Sequence, residues 1–202
     1  MRTQIFGLVL LLALAIGAYA VEGPNRPEAK RIALDAKSAA ILVLDLNARC
    51  HDPKQICHEL TPRLGKFLDK AREASVLIVY SVSASAKGTP LGEVSSPLKR
   101  RENEPVIYPD GFDKFTGGEL QAMLKDKGVK TVVVTGASTN SAVLYTATTA
   151  ARMHRYNVVV PMDAMVANSA YEQEYTFHQF TVLPSDASKQ FQFTKLELLT
   201  FK

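Results

Sequence analysis

Apolar residues along this chain fall into short unbroken runs, separated by stretches in which they recur every three or four positions. Ala39-Ala40-Ile41-Leu42-Val43-Leu44 is the first such run and ends abruptly at Asp45. Val76 to Tyr80, Val106 to Tyr108, Thr131 to Thr135 and Asn157 to Val160 repeat the pattern, with Phe191-Gln192-Phe193 as a weaker last copy. Strands that are hydrophobic at consecutive positions are covered on both faces. Between them Leu60, Leu64, Phe67, Leu68 and Ala71 keep helical spacing, and Glu119 to Lys127 turns Leu120, Met123 and Leu124 inward before Gly128 caps it. Ala142, Val143, Tyr145, Thr146 and Ala150 mark a helix of small residues, and Ala170 to Phe180 a further one. Gly136 is expected to break the fourth strand, and the polar stretch from Ser83 to Pro105 to form a long loop. Strands alternating with helices predict an α/β fold: a three-layer α-β-α sandwich around a mostly parallel, roughly six-stranded sheet, spanning residues 37–202.

Composition changes this picture at the start of the chain. Met1-Arg2-Thr3-Gln4, the leucine-rich run Ile5 to Ile16 and the small-x-small site Ala18-Tyr19-Ala20 have the layout of a secretory signal peptide, so residues 1–20 are expected to be removed and residues 21–36 to form a linker or arm. The alternative is an uncleaved anchor, for which the run is short. Cleavage removes one charge, Arg2, and trims the net charge from +4 to +3. With 24 basic residues scattered among 20 acidic ones, no nucleic-acid surface is indicated. The expected product is exported, periplasmic or extracellular, with no stable membrane anchor.

Export makes the cysteines readable. Cys50 and Cys57 are the only two, and in an oxidising compartment so close a pair is most simply a disulfide, which stabilises by roughly 2.5 kcal/mol through chain entropy. A metal site or reactive thiol, with His51, Asp52 and His58 nearby, is the alternative. A tetrahedral site needs further ligands at disciplined spacing, and only His154 and His178 remain elsewhere among the histidines.

In open parallel sheets, ligands bind beyond the carboxyl ends of the strands. Three strand ends are therefore of interest: Ile41-Leu42-Val43-Leu44-Asp45-Leu46-Asn47; Val106-Ile107-Tyr108-Pro109-Asp110-Gly111-Phe112-Asp113-Lys114-Phe115; and Val132 through Gly136-Ala137-Ser138-Thr139-Asn140-Ser141-Ala142-Val143. In this order, and with Val158 to Ala164 following, they resemble the isochorismatase-like family, which includes cysteine hydrolases of amides. The resemblance implies a triad: an Asp ending the first strand, a Lys after the third, and a nucleophilic Cys opening the helix after the fourth, where the helix end and a nearby cation favour the thiolate. Asp45 matches the acid, whereas Pro109 falls at the expected lysine position and Ala142 at that of the cysteine. A methyl group cannot form an acyl-enzyme.

Neighbouring residues offer partial substitutes. Ser141 carries a hydroxyl beside Ala142, but Ser138, Thr139 and Asn140 read foremost as caps of the helix that starts there. Lys114 could reach in from the loop after the third strand, although a lysine in such a loop is more often solvated. The resemblance further implies ligand contacts at Asn47, Tyr108, Ala137 and Ser138, and a cis Ala137-Ser138 bond. The second-strand loop, Ser81 to Leu98, lacks the His or Asp that the family's metal-using amidases carry, so neither a metal nor another cofactor is expected.

Two functions compete. One is an exported domain whose triad is reduced to Asp45 and which, as a non-catalytic or remodelled member, binds a small polar molecule or a protein partner. The other is a hydrolase of an amide or vinyl ether that uses Asp45 without a cysteine nucleophile; in isochorismate cleavage, the resemblance implies, the aspartate protonates a vinyl ether. A flavin- or nucleotide-binding fold fits the alternation but lacks any phosphate-loop pattern. Small residues from Thr146 to Arg152 suit packing between subunits, and a homo-oligomer is expected.

Overall fold

A computed structural model describes residues 26–202; the expected signal segment, residues 1–20, and the first part of the arm lie outside the described residues. Strand β1 (Ile32–Leu34) is followed by β2 (Ala39–Leu44), α1 (Leu60–Glu73), β3 (Leu77–Ser81) and β4 (Val106–Ile107). Then come α2 (Glu119–Asp126), β5 (Thr131–Ala137), α3 (Leu144–Arg152), β6 (Asn157–Pro161), β7 (Met165–Val166), α4 (Ala170–Thr181), β8 (Phe191–Thr194) and β9 (Leu199–Phe201).

The central sheet runs β4-β3-β2-β5-β6-β8, with every pairing parallel, and β7 adds to β5 as a seventh strand. Strand β2 shows why the apolar runs are continuous. Ala40, Leu42 and Leu44 pack into one core with α2, α3 and α4, while Ala39, Ile41 and Val43 pack into the other with α1. Burial of each large aliphatic side chain in these cores stabilises the fold by about 1.5–3 kcal/mol. No helix among the described residues is long and apolar enough to cross a membrane.

Three details depart from the pattern-based expectation. The sheet has seven strands because the chain after β6 returns to pair Met165 and Val166 with Gly136 and Ala137. The last part of the expected arm is a strand: β1 pairs in parallel with β9. Three residues are too few to show a period. Finally, Gly136 does not end β5 but lies within it at φ +125°, opposite Leu44 in β2. A side chain there would collide with the Leu44 carbonyl, so glycine permits the close approach of the two strands. Gly136→Ala is expected to lower stability by about 3 kcal/mol. By calorimetry that corresponds to a fall in Tm of roughly 6–12 °C, and an unchanged Tm would show that the strands can part without cost.

Strands β2 and β5 are neighbours whose connections leave in opposite directions across the sheet, which makes the gap beyond their carboxyl ends the switch point of the topology. Asp45 follows β2, and Ala137 ends β5.

Candidate functional site

Asp45 sits in the left-handed region at φ +54°, a conformation Asp tolerates better than most residues, and its backbone N–H donates to the Ser81 carbonyl at 3.0 Å. This tight exit from β2 leaves its carboxylate at the mouth of the sheet. Oδ1 accepts from the Ser81 hydroxyl at 3.2 Å, and Oδ2 lies 2.7 Å from Lys114 Nζ. The lysine side chain is 1% exposed and that of Asp45 17%. Burial raises the proton affinity of Asp45 above the ordinary aspartate value, and Lys114, by charge and hydrogen bond, only partly opposes it. Asp45 thus retains its proton at a higher pH than a surface aspartate.

Lys114 corrects one expectation, its own solvation: it is buried beside Asp45, and Pro109 lies outside the cavity lining. The loop after β4 is folded back over the sheet and fastened to α3. Lys114 N–H donates to Thr146 Oγ1 at 3.1 Å, Thr149 Oγ1 donates to Asp113 Oδ2 at 2.7 Å, and Lys114 Nζ donates to the Gly111 carbonyl at 3.2 Å. Counting along the strand could not reveal this, because the threonines that fasten the loop lie more than thirty residues away in the chain.

The turn between β5 and α3 also departs from expectation. The Ala137-Ser138 peptide is cis, as the resemblance implies. Ser138 makes no side-chain cap; its hydroxyl shares a 2.8 Å hydrogen bond with that of Ser141. Thr139 Oγ1 donates to Gln173 at 3.4 Å, and Asn140 Oδ1 is buried without a partner among the described residues. The reason is local geometry: Thr139–Val143 winds as a wider π turn, so the spacing on which ordinary capping depends is lost. Ala142 is 1% exposed and packed in the core, whereas Ser141 faces the cavity.

That cavity, about 460 Å³, is lined by Asp45, Ala137, Ser138 and Ser141 on the sheet side, by Phe112 and Asn168, and by the segment from Arg49 to Cys57. Cys50 and Cys57 form a disulfide, with Cα atoms 5.3 Å apart, and no cysteine is free. Asn47 and Tyr108 are not brought to the cavity. Asn47 is buried with Oδ1 accepting from Arg49 N–H at 3.2 Å, and Tyr108 donates to the Gly92 carbonyl at 3.5 Å, with Lys87 over its ring. The sequence reading missed Ser81, Arg49, Lys54 and Phe112. The first ends a strand adjacent to that of Asp45, which is the signal that could have found it; Arg49 and Lys54 belong to the cysteine loop that follows β2, and Phe112 to the loop that follows β4.

The long loop after β3 buttresses this region. Ala48 N–H donates to the Glu93 carbonyl at 2.9 Å, Ser95 N–H to the Leu46 carbonyl at 3.0 Å, and Ser96 N–H to His51 Nε2 at 3.0 Å. The far end of the loop is held by buried Glu104, which pairs with Arg72 at 2.7 Å and accepts from Tyr80 at 3.2 Å.

A family model described as the isochorismatase domain matches residues 39–187. The chain is 29% identical over 111 residues to the secreted isochorismatase effector Isc1 of Verticillium dahliae strain VdLs.17; the match spans 52% of this chain and 58% of that relative. Among solved structures, an isochorismatase family protein from Desulfovibrio vulgaris subsp. vulgaris str. Hildenborough superposes with a TM-score of 0.68 at 21% identity, covering 79% of this chain and 95% of that one. A cysteine hydrolase from Pseudomonas syringae pv. phaseolicola 1448A gives a TM-score of 0.67 at 18% identity, covering 85% and 94%.

Proposed function

Starting from a chain that belongs to the isochorismatase family, we propose that it is an exported, cysteine-independent hydrolase in which Asp45 protonates the carbon–carbon double bond of a vinyl ether. The observation that carries the reading is the 2.7 Å pair of Asp45 with buried Lys114, Asp45 itself lining the cavity. A carboxyl group with a raised proton affinity stays protonated, and so able to act as an acid, at higher pH than an ordinary aspartate. The proton passes from Asp45 to the terminal vinyl carbon, the π electrons forming the new C–H bond and leaving an oxocarbenium ion. Water adds to that cation and returns a proton to Asp45; the hemiketal then collapses, breaking the C–O bond to give an alcohol and a carbonyl compound. No nucleophile is needed, so Ala142 is no obstacle. The Ser138–Ser141 hydroxyl pair lies on the same wall and supplies polar contacts for the attacking water.

Export is supported by the disulfide, the signal-like start of the chain and the description of the fungal relative as secreted. A purely ligand-binding role rests on Ala142 once Lys114 takes its place beside Asp45. Incubation with a vinyl ether such as 2-phenoxyacrylate in D₂O decides between the two. The expected result is release of phenol and pyruvate with one deuterium in the pyruvate methyl, while nicotinamide is left intact. Absence of vinyl-ether turnover sinks the catalytic reading.

A further inference from the structure

The charges around the cavity are unequal. Among the described residues Asp45 is the only acidic one lining the cavity, and Lys114 balances it, whereas Arg49 and Lys54 face the same space. Neither of these two enters an ion pair among the described residues. Arg49 is close enough to favour the ionised form of Asp45. Both cations belong to a segment with little freedom. The Cys50–Cys57 disulfide closes the loop that carries Lys54, with Arg49 immediately before it; its two cysteines are buried at 1% and 4%, and Ala48 and His51 are hydrogen-bonded to the loop after β3. Holding two long side chains at a site costs less when their backbone is already fixed.

We infer that Arg49 and Lys54 form a carboxylate clamp, so that the ligand of this cavity is an anion whose carboxylate docks on the disulfide-closed loop while its reactive part lies over Asp45. Arg49 offers a planar fork of N–H donors suited to a carboxylate, and Lys54 adds a point charge beside it. The inference deepens the vinyl-ether reading by naming the charge class of its substrate, and it rests on that reading only for the choice of cavity.

The test is calorimetric titration at low ionic strength, with isophthalate and benzamide as unreactive probes for the wild type, Arg49→Gln, Lys54→Gln and the double variant. Both residues are exposed, so these changes leave the core intact. Isophthalate is expected to bind more tightly than benzamide, to weaken about fivefold to tenfold with each lost charge, and to weaken with added salt, whereas benzamide is unaffected. Equal affinity of the double variant and wild type for isophthalate, or no isophthalate binding by wild type at millimolar concentration, overturns the clamp. Because the titrations need no turnover, charge-dependent binding without vinyl-ether hydrolysis would sink the catalytic reading alone. Hydrolysis with charge-independent binding would sink the clamp alone.

Discussion

Asp45→Asn is expected to lower kcat/KM for vinyl-ether hydrolysis by about 1,000-fold, within the range contributed by a positioned general acid. Asparagine keeps the shape and can still accept from Ser81 and Lys114, so the loss would report the missing proton rather than a rearranged site. KM should change little, since the proposed binding charges lie on another wall. In the wild type the rate should be high while Asp45 is protonated and fall as pH rises through its raised pKa. A pH–rate profile for kcat/KM checks this. A variant that keeps one-tenth or more of the activity would assign the acid to another group.

Lys114→Met tests the pair from the other side, and the sign of its effect is fixed by the same electrostatics. Lys114 opposes the burial-driven rise in the proton affinity of Asp45. Removing it raises that affinity further, so the alkaline limb of the profile should move to higher pH, while the maximum falls about 10–100-fold as the carboxyl loses its orienting partner. An unmoved limb would reduce Lys114 to a packing role. Stability should follow the same group. A carboxyl whose pKa is higher in the folded state binds more protons there, so the variant should be most stable in acid and lose stability as pH rises above the ordinary aspartate value of 3.8. Asp45→Asn alone leaves the buried Lys114 ammonium with an uncharged acceptor in place of a carboxylate, at a cost of about 3–5 kcal/mol. Asp45→Asn combined with Lys114→Met removes both charges, and its expected signature is recovered stability without recovered activity.

The sheet was legible because each strand leaves a local trace. The unbroken run from Ala39 to Leu44 requires cover on both faces, and the two cores supply it. Asp45 was legible for a related reason: a carboxylate closing such a run has no place inside the sheet. Lys114 was not, since its burial depends on Thr146 and Thr149 in a later helix. The turn from Ser138 to Asn140 was misread because capping preferences assume an ordinary helical first turn, and the chain forms a wider one. The cysteine pairing was readable from compartment and spacing, but its place on the cavity wall follows only from the direction in which the chain leaves β2.

The buried Arg72–Glu104–Tyr80 cluster stands apart from the cavity, yet it bears on how fast a ligand arrives. It holds one end of the loop whose middle is bonded to Leu46, Ala48 and His51, so the segment carrying Arg49 is braced from behind as well as followed by a covalently closed loop. A wall built in this way is assembled before the ligand arrives. Association then has no slow closing step, and its rate is set by diffusion and by the attraction of Arg49 and Lys54 for an approaching anion.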